Sequence, residues 1–322
     1  MSGDDAEELA RFGQTTIAEG SKSFALASLF FGADLQTDVQ LLYAWCRHCD
    51  DVVDGQNLGG DAPSAAMSEA DRAAALEALR TNTARVMRGD AVGELAFDGF
   101  ARVVARTKMP AVYPQDHLDG FAYDVAPKPF DSLDDVLAYC YGVAGVVGVM
   151  MAIVMGVDPE DGDTLDRACD LGLAFQLTNI CRDVVDDAAG GRVYLPADGL
   201  ARHGVAATPA AVADPAARAA VWRAALEVLD VADLYYASAT KGVRQLPIRA
   251  AAAVAAARNV YREIGARVRD GGPEAWDQRV VVSSRRKTAL AAMGALTGGA
   301  ASMFLQREAA PRSAILWTRP HR

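Results

Sequence analysis

Two short stretches of this chain carry carboxylates at the spacing of a helix turn. In "RHCDDVVDG", Asp50 and Asp54 are four residues apart and share a face, with Arg47 one turn earlier. Asp51 points about 100° away from Asp50. In "NICRDVVDD", residues 179–187, Asn179, Asp183 and Asp187 stand at i, i+4 and i+8. Each step drifts only about 40° around the axis, so they form one stripe, and Gln176 extends it by a turn. Carboxylates one turn apart repel unless a cation neutralises them. Side-chain oxygens without His or Cys suit Mg²⁺ rather than zinc or copper, and Mg²⁺ bridges one or two carboxylates to a substrate phosphate. A solvated helix end would explain "DDVVD" alone. It explains the second cluster less well, because Gln176 and Asn179 sit among Leu, Phe and Ile, where unpaired amides are costly. A di-iron carboxylate site would need Glu-x-x-His pairs, and none of His48, His117, His203 and His321 follows a Glu by three.

The elements that position these clusters read as helices. Alanine and other good helix formers dominate, and Pro and Gly divide the chain into helical segments at about 5–19, 37–54, 66–88, 91–107, 115–124, 132–156, 163–187, 215–240, 247–269 and 283–307. Loops are expected at 55–65 and 188–214, one after each acidic cluster. No Pro/Ser linker separates two halves, so the economical reading is one all-α domain over 1–307 and a poorly packed tail over 308–322.

The chain has 322 residues, 51% hydrophobic and 23% charged, enough to bury a sizeable core. A net charge of −10 argues against nucleic acid as a partner; it does not forbid a phosphate-bearing small molecule, since a metal ion reverses the local sign. Five scattered cysteines make no disulfide framework and point to a reducing cytoplasm; the lone "CRHC" reads as two small residues on a packed helix. The start, "MSGDDAEELARFG", is no signal peptide. Residues 136–157 hold no charge and are long enough to span a bilayer. Gly142, Gly145 and Gly148 recur there every third residue, and the flanks are acidic, so the run reads equally as the centre of a large helical protein.

"DDVVD" and "NICRDVVDD" resemble the two aspartate-rich motifs of the head-to-head prenyl synthases, the squalene/phytoene synthase family. "EGSKSF" (19–24), "YCYGVAGVVG" (139–148), "GRVYLP" (191–196), "YREI" (261–264) and "RVVVSSRRK" (279–287) are similar to further family segments, in the family's order, over about residues 19–290. The resemblance implies an all-α isoprenoid synthase fold around a central apolar cavity, with the uncharged helix lining that cavity. It implies Mg²⁺, or Mn²⁺ in its place, held by Asp50, Asp54, Asn179, Asp183 and Asp187, and condensation of two geranylgeranyl diphosphates through prephytoene diphosphate to phytoene.

Catalytic roles carry over to Asp50, Asp54, Tyr139, Arg182, Asp183, Asp187 and Tyr261. Substrate contacts carry over to Ser21, Lys22, Phe24, Arg47, Ala144, Val147, Gly148, Gly172, Phe175, Gln176, Asn179, Tyr194 and Arg279. The basic residues among them would offset phosphate charge, and tyrosine rings would stabilise a cation. The "GGRVYLP" loop would act as a lid that keeps water out. No Gly-rich dinucleotide fingerprint follows a strand, which favours a product made without NADPH. The expected setting is cytoplasmic, peripheral on the inner membrane face through the apolar C-terminal segment and "AILW", with other carotenoid-pathway enzymes as partners. The alternatives are a farnesyl-diphosphate-using presqualene or dehydrosqualene synthase, a class I terpene cyclase, and a non-catalytic assembly factor; intact aspartates argue against the last.

Overall fold

Helix ends are written into local side chains. Ser68 and Ser132 open their helices with capping boxes closed by Asp71 and Asp135. Asp161 opens the longest helix by accepting from the Thr164 amide at 3.1 Å. The computed structural model describes residues 3–55, 67–126, 128–304 and 311–321. The loop expected over 55–65 lies outside them except for Gly55, which ends its helix in the left-handed region at φ 66°.

The first half of the chain forms α1 (Gly3–Gly20), α2 (Lys22–Ser28), α3 (Ala33–Asp54), α4 (Glu69–Met87), α5 (Leu95–Arg106), α6 (Val112–Gly120) and α7 (Ala122–Val125). The second forms α8 (Leu133–Cys140), α9 (Val146–Val154), α10 (Gly162–Ala189), α11 (Ala197–Arg202), α12 (Pro209–Ala213), α13 (Arg218–Gly242), α14 (Ile248–Gly271) and α15 (Ser284–Phe304). No strand occurs among the described residues, and the fold is the all-α one expected. Helix α3 packs on α1, α4, α5 and α9, burying Leu41, Leu42 and Trp45, whose ring stacks on Phe100 at 4.2 Å. Helix α10 packs on α9, α13 and α14, burying Leu165, Leu173 and Leu177. Each fully buried leucine stabilises the fold by about 1.5–3 kcal/mol.

Three expectations need correction. The helix expected over 115–124 is two helices, α6 and α7, meeting at Phe121. Short α2, α11 and α12 stand where no helix was read, because five to seven residues are too few to show a period. The tail is no loose end: Arg312 binds Asp170 at 2.7 and 2.9 Å, Arg319 binds Asp166 at 2.8 Å, and Leu316 is buried.

The helical span Leu133–Val154, which carries most of the uncharged run, is long and apolar enough to cross a membrane, and 67% of its apolar 18-residue window is buried inside the fold. A π turn over Tyr141–Gly145 bulges it. Its glycines allow helices to touch backbone to backbone. A Cβ on Gly142 would lie 2.5 Å from Gly120 Cα, and one on Gly148 would strike the Ala168 carbonyl of α10.

Candidate active site

Both acidic clusters occupy the last turns of their helices. Asp50 and Asp54 end α3, while Asp183 and Asp187 end α10, and neither helix has a basic residue in its last turn. The negative end of a helix dipole disfavours carboxylates. Two helices that break the same rule and line one cavity mark a place selected for function rather than stability.

The acids are held at a cost. Asp50 is pushed up to about 7, first by enclosure, then by the charges of Asp54, Asp51 and Asp124, against the relief given by Arg47. Forty-two per cent of its side chain remains accessible, on the wall of the cavity described below. Asp187 is likewise pushed up to about 7, by burial and then by Asp183. Arginines offset part of this. Arg47 spans Asp50 at 3.0 Å and Asp51 at 2.5 Å, and Arg182 grips Asp183 with both arms of its fork. Asp186, one residue off the stripe, is exposed.

Among the described residues, no three His, Cys, Asp or Glu side chains converge into a ready-made metal cage. A cation here would draw a few oxygens from each helix and complete its shell elsewhere, which suits Mg²⁺. The amide supports that fit. Asn179 Nδ2 donates to Gln176 Oε1 at 3.4 Å, while its Oδ1 is buried with no hydrogen-bond partner. An unpaired buried oxygen costs about 1–3 kcal/mol, and it is a ready ligand for a hard cation.

Beside the acids opens a cavity of about 380 Å³. Phe24, Ala144, Val147, Gly148, Gly172 and Phe175 all line it. Arg47, Asp50, Tyr139, Gln176, Asn179 and Tyr261 line it as well. Tyr261 stacks on Phe175 at 4.2 Å and on Phe24 at 5.3 Å, an aromatic wall beneath the acids. Ser21 caps α2 through the Phe24 amide at 3.3 Å and also bonds the Tyr261 hydroxyl. Tyr194 stacks on Tyr139 at 5.3 Å. Arg279 is exposed and is not part of the cavity wall. The cation brought near Lys22 and Arg182 is Lys287, held below the usual lysine range by partial burial and then by those two charges.

Sequence reasoning missed Lys287, Arg192 and Asp124. Arg192 reaches from the "GRVYLP" loop to Asp54 at 2.8 Å across 138 residues, and it touches the Tyr194 hydroxyl at 3.3 Å. Asp124 accepts from Tyr194 at 3.3 Å and Tyr139 at 3.5 Å, lies 3.7 Å from Arg192, and is pushed up to about 6 by burial. One network thus joins the first acidic helix, the "GRVYLP" loop and the tyrosine pair. Arg192 was legible in a quoted motif. Asp124 stands alone in "FAYDVA", with no partner at helical spacing to flag it.

The model of one protein family, squalene/phytoene synthase, matches residues 17–287. The chain is 49% identical to a 15-cis-phytoene synthase of Enterobacter agglomerans, over 94% of this chain and 99% of that one. It is 46% identical to a 15-cis-phytoene synthase of Paracoccus sp., over 95% and 96% of the two chains. Among solved structures it resembles a dehydrosqualene synthase in complex with ligand, with a TM-score of 0.79, 25% identity, and coverage of 90% of this chain and 96% of that one.

Proposed function

The chain belongs to the squalene/phytoene synthase family, and we propose that it joins two geranylgeranyl diphosphates head to head, through prephytoene diphosphate, to phytoene. It is a prenyltransferase of carotenoid biosynthesis acting on an isoprenyl diphosphate. The observation that carries the reading is the junction of an apolar cavity with two acidic helix ends, bridged by the unpaired Asn179 oxygen. A substrate apolar along its chain and anionic at its head matches that junction.

Asp50, Asp54, Asn179, Asp183 and Asp187 would hold Mg²⁺ or Mn²⁺, whose chemistry there is Lewis-acid stabilisation of charge on a leaving diphosphate. Lys22, Arg182 and Lys287 supply positive charge beside them. The stacked rings of Phe24, Phe175 and Tyr261 present π faces to the allylic cation left behind. Tyr139 donates a hydrogen bond to Asp124, so a proton lost from the substrate to the Tyr139 oxygen would be matched by passage of the phenol's own proton to the Asp124 carboxylate. Arg192 ties the loop carrying Tyr194 to Asp54 and so keeps water from the cation. Both half-reactions release a diphosphate and a proton and need no hydride, so NADPH has no place in the balance.

The experiment is direct. Purified protein is incubated with Mg²⁺ and either geranylgeranyl or farnesyl diphosphate, without NADPH, and the hydrocarbon is identified. Phytoene from the first, lost on adding EDTA, is expected. A cyclic terpene, a C30 product in preference, or no turnover overturns the reading.

We place the protein in the cytoplasm, touching the inner face of the membrane. The "AILW" segment is a poor anchor, since Leu316 is buried and Trp317 packs on Tyr141 at 5.6 Å. Helix α15 serves better, with Leu296 75% and Phe304 76% exposed beyond a first turn holding Arg285, Arg286 and Lys287. Co-sedimentation with anionic phospholipid vesicles is expected, and weakening by Leu296→Asp. Sedimentation unchanged by that substitution rules out α15 as the contact.

A further inference from the structure

Helix α10 runs the length of the cavity. Asn179 and Gln176 stand at its mouth, Phe175, Gly172 and Ala168 continue the wall inward, and Arg167 and Thr164 are the last residues of α10 that line it. From Asn179 back to Arg167 the helix covers about 18 Å at its usual rise. The α10 wall between Phe175 and Ala168 is apolar or glycine, until it reaches Arg167. The steps described above make no use of this group.

Arg167 is enclosed and held at its head by Ser238 and Asp163. Its side chain is 1% exposed, and its head lies 3.4 and 3.5 Å from the Ser238 carbonyl and hydroxyl and 3.5 Å from Asp163. Ser238 donates in turn to Asp170 at 2.6 Å, and Asp170 is clamped by Arg312 of the tail. Arg319 of the tail clamps Asp166, the neighbouring residue, in a pair with both side chains 1% exposed. The stem of Arg167 has no slack either: a Cβ on Gly242, across on α13, would lie 2.7 Å from Arg167 Cβ. The two tail arginines therefore bolt down the turn of α10 that carries Arg167.

We propose that Arg167 is the floor of the prenyl tunnel and sets the longest chain the enzyme accepts. This rests on the prenyl diphosphate reading of the cavity. An apolar floor would yield to a longer chain by changing rotamer. A charged floor paired with Ser238 and Asp163 does not, because a methyl group driven against it must displace contacts that a buried charge needs. The tunnel thus measures length from the acidic mouth to Arg167, and the bolted turn keeps that length constant.

The test uses the Mg²⁺-loaded full chain and a ladder of C15, C20 and C25 prenyl thiolodiphosphates, which bind without ionising. For the unaltered protein, affinity should rise from C15 to C20 and fall at least about tenfold at C25, far more than cancelling the gain expected from five further buried carbons. With the corresponding diphosphates, Arg167→Ala should raise the C25-to-C20 ratio of kcat/KM by about tenfold. Equal binding of C25 and C20 by the unaltered protein overturns the floor, as does an unchanged ratio in Arg167→Ala. Should Arg167→Ala fail to fold, the ladder on the unaltered protein decides alone. A protein inactive on every prenyl diphosphate would overturn the functional reading and the floor together, whereas one active on C20 but indifferent to the fourth and fifth isoprene units overturns only the floor.

Discussion

Asp187→Asn is expected to lower kcat by about a thousandfold or more, while leaving the metal-free protein more stable than before. The loss follows from removing one of the oxygens placed to hold charge against the leaving diphosphate, a contribution of several kcal/mol. The gain follows from the apo structure, where enclosure and Asp183 push Asp187 up to about 7. A carboxyl raised above its unfolded value of about 3.9 is neutral in both states below pH ~4. It opposes folding increasingly from there to about pH 7, and fully above. Urea unfolding in EDTA should therefore show Asp187→Asn ahead by about 1–2 kcal/mol at pH 8, once partial exposure is allowed for, and level near pH 4. A variant that keeps near-normal turnover would remove Asp187 from the site. A variant less stable at pH 8 would show that its carboxylate helps rather than strains the fold.

Gly172→Ala should produce the largest loss of stability, about 3 kcal/mol or more. A Cβ there would strike the Ala144 carbonyl, 2.7 Å from its carbon and 2.7 Å from Gly145 Cα. Both neighbours are backbone, so no rotamer change relieves the clash; the π turn ahead of α9 and helix α10 must part. Gly172 also lines the cavity, so the shift moves the wall of the prenyl site. Chemical denaturation of the variant checks the first effect and phytoene formation the second. A loss below about 1 kcal/mol would mean that the two helices have slack here.

The glycines illustrate how much was legible. Their recurrence at 142, 145 and 148 was plain in the sequence, and two uses were open: room for a ligand, or close approach of a helix. Gly142 and Gly148 serve helix contact, while Gly148 and Gly172 also face the cavity. Periodicity cannot separate these uses, because it shows which face a residue occupies and not what lies opposite. The same limit explains Lys287 and Arg279. Both stand in "RVVVSSRRK", and only packing decides that Lys287 turns toward Lys22 and Arg182 while Arg279 stays exposed.

What the sequence determined by itself was everything that one helix decides. The all-α character, the Asp50–Asp54 pair and the Asn179–Asp183–Asp187 stripe follow from the 3.6-residue turn, a local geometry needing no partner. Only the tertiary structure decided what crosses between helices: Arg192 reaching Asp54, Asp124 gathering two tyrosine hydroxyls, and two tail arginines bolting the turn beneath the tunnel. Those partners lie 15 to 153 residues apart. Over such separations, position is set by the packing of the whole core and leaves no periodic trace in the chain.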